Sequence, residues 1–367
     1  MENRLREFDL VRAFAALSVI AIHVTAGYVA TNQFGYVWNQ LMRYAVPLFI
    51  MLSGFLLFYV DQGRAPVTYG HFIRVRFKKV IIPYVLWTLI YFLYNSRHHL
   101  SGWIQNEPVK PLIIYLKHLI TGTGHVHLYF LLITVQLYLV YPLLKRWIER
   151  HAGSLVAVSF LITLFSQTMI YLHQLHVLVL PSLAIPYVSL FPIWLFYFTF
   201  GMLAAQKKAN WEEKLQGKLL PLTVMWLVSF GLLLLDSKIT KTHASSIKPT
   251  VMLYCFSSYF LFYVAALKMK QTTSRVGKAM DWLATNSFMI FLLHPLLLSL
   301  MLATTQKLGL SAMWQGSFGM IAMYLVTTII TVVATYILRY VPLIDLLGGV
   351  PLKKHQKRVN KQMPLAG

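Results

Sequence analysis

Three ionisable side chains, Asp9, Arg12 and His23, interrupt an otherwise apolar stretch near the start of the chain. An ionisable group in hydrocarbon is costly, so such residues mark either function or a paired structural contact. On an α-helix eleven residues make three turns plus about 20°, so Arg12 and His23 share one face, about 16 Å apart along the axis. Asp9 precedes Arg12 by three residues, a spacing that permits contact on that face. A histidine exchanges protons near neutral pH, and the rest of this stretch is mainly Ala, Val, Ile and Leu, which makes His23 a candidate for proton transfer. The structural alternatives are a snorkelling Asp9–Arg12 pair at a membrane boundary and a His23 hydrogen bond to a neighbouring helix.

A second group has the character of a binding site. Arg74, Arg76, Lys78 and Lys79 lie within six residues and lead into Pro83. Such cations grip the phosphates of a soluble ligand well, and they equally suit lipid phosphates. Other polar positions are secondary candidates. Ser53, beside Gly54, reads as a polar contact or as part of a small-residue packing notch. His294 precedes Pro295, where a kink carries a polar plug. His127 heads an apolar run close to the outer surface. No HExxH, Walker loop, GxGxxG or Ser-His-Asp elbow stands out. Cys255 is the single cysteine, so neither an internal disulfide nor a cysteine-based metal site is expected, and no metal is predicted.

The elements that must carry these residues are membrane spans. Hydrophobic residues make up 57% of the 367 and charged ones 12%, against about 25% charged in a soluble domain. Too few charges remain to coat a soluble surface. The apolar residues fall in runs of roughly 17–22, the length that crosses a hydrocarbon core of about 30 Å as a helix. Ten spans are expected, at roughly 8–29, 42–60, 79–95, 127–144, 154–173, 188–206, 219–236, 250–268, 283–303 and 316–339. The first is read as a retained helix rather than a cleaved signal, because Asp9, Arg12 and His23 break its apolar core.

The net charge of +22 suggests nucleic acid at first sight, but the cations sit between the apolar runs on alternate connections. Assigning each Lys and Arg outside the spans to a side gives 24 against 7, with Arg12 and Arg43 left inside spans. That asymmetry is the positive-inside pattern and predicts both termini in the cytoplasm; a nucleic-acid reader would gather its charge on one soluble face. The expected fold is therefore an all-α bundle of about ten transmembrane helices in the plasma membrane. One membrane domain covers 1–345, and a short basic tail, 346–367, lies on the anionic inner leaflet.

The same residues resemble the acyltransferase-3 family of bacterial membrane proteins. The resemblance begins with Phe8-Asp9-Leu10-Val11-Arg12, continues to His23 with the family's arginine–ten residues–histidine spacing, and runs through Pro47-Leu48-Phe49-Ile50-Met51-Leu52-Ser53-Gly54-Phe55. It includes Arg74 and Arg76 before Pro83-Tyr84 and Trp87, then His127-Leu128-Tyr129-Phe130-Leu131, and ends with Asn286-Ser287-Phe288 and Leu293-His294-Pro295. Tyr129 stands where many relatives have tryptophan, and no fused esterase-like domain is expected. The resemblance implies transfer of an acyl group, usually acetyl, from cytoplasmic acyl-CoA to a hydroxyl or amine of an envelope glycan or lipid-linked saccharide. It implies that Arg74, Arg76, Lys78 and Lys79 hold the CoA phosphates. Arg12 would orient the acyl donor or stabilise developing charge, and His23 would act as general base or as a covalent acyl carrier. The alternative is a glycan or lipid-linked-sugar transporter, or an export component, which needs no thioester.

Overall fold

Long apolar runs with few charges fold in lipid as helices, because only there does each segment satisfy its own backbone. The computed structural model describes residues 5–62, 68–243, 245–269 and 275–352. Arg4, Arg64, Lys270 and the basic tail residues Lys353, Lys354, Lys357, Arg358 and Lys361 lie outside the described residues. Among the described residues the chain is helical without strands: α1 (Arg6–Thr25), α2 (Gln33–Leu41), α3 (Ala45–Gln62), α4 (Tyr69–Ser96), α5 (Leu100–Asn106), α6 (Lys110–Thr121), α7 (Tyr129–Gln174), α8 (Leu195–Gln206), α9 (Lys208–Leu215), α10 (Leu219–Thr240), α11 (Pro249–Met269), α12 (Arg275–Lys307) and α13 (Gly316–Leu338).

Eight segments are long and apolar enough to cross a membrane, and the differences from ten separate spans have local causes. The expected fourth and fifth spans form one 46-residue helix, α7, broken at His151 where φ and ψ are −142° and 63°. Each part is roughly 22 residues, or about 33 Å, which is a membrane thickness. The expected sixth span is α-helical only as α8, twelve residues long, after two 3-10 turns, the first preceded by Pro186 and the second containing Pro192. α4 begins ten residues before the expected 79, capped by the Thr68 hydroxyl, which accepts from the His71 N–H at 3.4 Å. The Arg74–Lys79 cluster is therefore helical.

α1 lies at the centre, packed against α3, α11, α12 and α13, with Phe8, Val11, Ala15, Val19 and Val24 buried. Ion pairs join the elements at the face where α1 starts. Lys208 bridges Glu7 and Glu212 at 3.2 and 2.6 Å, Arg6 meets Asp281 at 3.6 Å, and Lys145 meets Asp61 at 2.7 Å. At the opposite face the buried Lys248 pairs with Asp236 at 3.0 Å. The segment after α13 turns back into the bundle: the Trp87 indole N–H donates to the Leu347 carbonyl at 3.0 Å, and Gly348 lies against the Phe288 ring.

The tightest contact is between α3 and α8. A Cβ on Gly54 would lie 2.1 Å from the Phe198 carbonyl oxygen, and one on Gly201 2.0 Å from that of Met51. The two backbones touch through reciprocal glycines, so Gly54 is the packing notch while its neighbour Ser53 points elsewhere. Neither obstacle is a side chain that can swing aside. Gly54→Ala or Gly201→Ala should therefore lower stability by at least about 2 kcal/mol and reduce the yield of folded protein. Gly231, with open space at its Cβ position, should accept alanine without loss. Thermal melts of the purified variants in detergent check both expectations.

Candidate functional site

The basic cluster on α4 divides by helical geometry. Arg76 and Lys79, three residues apart, share a face and line a cavity of about 370 Å³ with Arg12, Ser53, Thr134 and Tyr138. An adjoining space of about 410 Å³, lined again by Arg12, Ser53, Arg76, Lys79 and Tyr138, widens toward Val60 at the end of α3. Arg74 and Lys78 lie on the exposed side of α4 and line neither space. Asp9 approaches Arg12 at 3.8 Å, so the expected pair forms at the edge of this cavity. The result is a chamber with three cations at the face where α1 starts.

His23 lines a different cavity. This space, about 440 Å³, lies toward the other end of α1 and is bordered by His127, Arg43, Tyr129, Gln174 and Ser246. The His23 ring centroid is 5.1 Å from that of His294 and 6.1 Å from that of His127. The last two are 6.0 Å apart. His127 is only 2% exposed, which corrects its expected place near the outer surface: the loop before α7 folds inward and carries the ring into the bundle. His125 joins from the same loop, its Nδ1 3.1 Å from that of His127. Burial pushes His125 down to about 4. The His125 ring is therefore neutral near pH 7.

His294 is fully buried, with Nδ1 2.9 Å from the Ile290 carbonyl. The kink expected at Pro295 has a partner on α4. The Tyr91 hydroxyl donates to the Leu292 carbonyl at 2.8 Å and accepts from the Leu296 N–H at 3.1 Å. A regular helix bonds those two groups directly, so Tyr91 splices into the ladder one residue past Pro295. The Tyr91 ring also stacks on His125 at 4.3 Å. One side chain thus fixes both the proline step and the histidine loop.

An aromatic partition separates the two cavities. Phe130 and Phe291 line both, and Phe49 lines the cationic one. Phe130 and Phe291 lie 5.2 Å apart, with Phe49 6.2 and 6.3 Å from them. Arg12 and His23, on one face of α1, therefore stand on opposite sides of this partition. Sequence reasoning located the two ends but missed the partition and Tyr91, since phenylalanines and tyrosines are abundant here and carry no distinguishing spacing. It also left Arg43 without a role, although a cation inside an expected span was a usable signal. Among the described residues no group of three His, Cys, Asp or Glu side chains is arranged to hold a metal ion.

Comparison with known proteins agrees with the motifs. No curated protein and no solved structure matched the chain. The acyltransferase-3 family, described as an acyltransferase domain, matches residues 5–340, nearly the whole chain. With its membrane-length helices, the chain belongs to the acyltransferase-3 family and is a multi-pass membrane acyltransferase.

Proposed function

We propose that this protein moves an acyl group, acetyl in the simplest case, from cytoplasmic acyl-CoA to a hydroxyl or amine of an envelope or extracellular glycan, free or lipid-linked. The observation that carries the reading is the pair of cavities back to back: three cations line one and His23 the other, with a thin aromatic partition between them. In this reading both termini are cytoplasmic and the chain crosses the plasma membrane ten times, α7 supplying two crossings and α8 with its preceding turns the sixth. The 24-to-7 charge asymmetry supports that orientation.

Arg76 and Lys79 hold the CoA phosphates at the cytoplasmic mouth, while Arg74 and Lys78, exposed on the same helix, add to the positive field there. The pantetheine arm passes Arg12 and parts Phe49, Phe130 and Phe291, which brings the thioester toward His23, about 16 Å along α1 from Arg12. Two routes use this arrangement. In the first, His23 takes the proton as the acceptor hydroxyl attacks the thioester carbonyl; the C–S bond breaks, and the proton passes on to the CoA sulfur. In the second, a His23 ring nitrogen attacks the thioester and the leaving thiolate takes the ring proton. The acceptor hydroxyl then displaces the acyl group and returns its proton to the ring. His127 and His294 position the His23 ring in either route. Partial closure of the aromatic partition keeps the thioester away from water outside.

Two outcomes test this in lipid vesicles given radiolabelled acetyl-CoA at the cytoplasmic face. His23→Ala should reduce transfer to glycan by 10²-fold or more while keeping the wild-type melting temperature; activity retained in that variant sinks the assignment. Arg76→Gln with Lys79→Gln should raise KM for acetyl-CoA about tenfold or more and leave kcat nearly unchanged. Glycan flux across the vesicle with no dependence on a thioester would favour a conduit instead.

A further inference from the structure

A third cavity, of about 340 Å³, follows the cationic chamber along the same three helices. The two meet on each helix in turn: Asp61 succeeds Val60 on α3, Phe72 lies one turn before Arg76 on α4, and Tyr141 lies three residues after Tyr138 on α7. On α4, Tyr69, Phe72, Arg76 and Lys79 recur at intervals of three, four and three residues, so they form one stripe. The first half of the stripe is aromatic and lines the third cavity; the second half is cationic and lines the chamber. Helical rise puts Phe72 about 6 Å and Tyr69 about 10 Å from Arg76 along the axis.

The chemistry of the third cavity differs from that of the chamber. Among the described residues three rings border it: Phe72 and Tyr141, stacked with centroids 5.2 Å apart and planes at 23°, and Tyr69. Tyr69 is 54% exposed, and its hydroxyl donates to the Leu139 carbonyl at 3.3 Å, which ties α4 to α7. A tyrosine that only marks the membrane interface would need neither a cavity beside it nor a tie across two helices. The charges around these rings offset one another, for Lys145 and Arg146 line the space together with Asp61 and Glu149. Asp61 accepts from Lys145 Nζ at 2.7 Å and from the Tyr141 hydroxyl at 3.0 Å, and Glu149 approaches Lys145 at 3.9 Å. Three cations suit phosphates, whereas a charge-balanced space lined by rings suits a flat, neutral aromatic group.

We infer that the third cavity is the subsite for the nucleoside end of the acyl donor: an aromatic base stacks on the Tyr69 ring, with Phe72 and Tyr141 behind it, while the diphosphate lies on Arg76 and Lys79. The identity of the donor rests on the function proposed above, and the inference deepens that reading. The donor is then a soluble nucleotide thioester recognised by its base, rather than an acyl-phosphopantetheine carried on a protein, which has no base to stack. In such a nucleotide one ribose separates base from diphosphate, a separation matched by the one to two turns of α4 between the aromatic and cationic halves of the stripe. Base stacking on an aromatic side chain is strong enough to select one donor class over the other.

The test measures binding to the full chain in nanodiscs, without transfer. The probes are ADP and ribose 5-diphosphate, which share sugar and diphosphate and differ only in the base. Wild type should bind ADP about tenfold or more tightly than ribose 5-diphosphate. Added salt should weaken both probes through the shared diphosphate and leave their ratio unchanged. Tyr69→Ala should lower the ratio about fivefold or more, and Tyr69→Phe, which keeps the ring, should preserve it.

Equal affinity of wild type for the two probes, absence of binding by both included, overturns the inference; so does a ratio that survives Tyr69→Ala. The wild-type comparison stands whether or not a variant folds. Transfer kinetics separate this inference from the reading beneath it. Preference for ADP with no transfer from acetyl-CoA keeps a nucleotide site in the third cavity and sinks the proposed transfer. Transfer from acetyl-CoA and from S-acetyl-phosphopantetheine with equal kcat/KM, and no preference for ADP, keeps the transfer and overturns this inference alone.

Discussion

Hydrocarbon offers no partner to a polar group, so every ionisable side chain within this bundle must be answered by another part of the protein or by an aqueous cavity. The chain meets this constraint in two ways. Some charges are cancelled in pairs, as Lys248 with Asp236, Lys145 with Asp61, and Glu7 with Lys208. Others border cavities: Arg76, Lys79, Arg43 and His23, together with Arg12, which also meets Asp9 at 3.8 Å. The first set ties helices together at the two faces. The second set lines the two cavities, where in the proposed reading a polar ligand enters, and it lies around α1 because that helix is enclosed by others.

The two cavities depend on precise backbone positions that polar residues do not supply. α3 carries Ser53 into the cationic chamber because Gly54, one residue on, lets α8 approach to backbone contact. α12 presents His294 to His23 at a proline step whose interrupted ladder is completed by Tyr91 from α4. Ser53 and His294 thus each stand next to a packing device that fixes their helix. That juxtaposition explains how signature segments such as Leu52-Ser53-Gly54-Phe55 and Leu293-His294-Pro295 combine a chemical residue with a structural one.

The aromatic partition gives the proposed reaction its direction. A channel open from end to end would leak water and ions, while a solid core would keep a cytoplasmic thioester from an external hydroxyl. Phe49, Phe130 and Phe291 form a barrier one side chain thick, and rotamer changes in three rings open it at far lower cost than moving helices apart. On this reading the imidazoles of His23, His127 and His294 meet the thioester only after the rings have parted.

Composition and spacing alone establish the class of the protein, the span-length apolar runs, the charge asymmetry, and the Arg12–His23 face with its separation along the helix axis. These follow from composition and from the fixed rise and turn of a helix, which need no knowledge of neighbours. The sequence also marked the cationic cluster but could not divide it, because the division depends on α4 extending back to Tyr69, so that Arg76 and Lys79 line the cavities while Arg74 and Lys78 do not. Only the tertiary structure decided that Arg12 and His23 belong to different chambers and that His127 is buried beside His23. It likewise decided that Arg43 borders the same space and that Tyr91 bridges the interrupted hydrogen-bond ladder of α12. These juxtapositions join residues from about twenty to about two hundred positions apart. They arise from how helices pack, which leaves no periodic trace in any one of them.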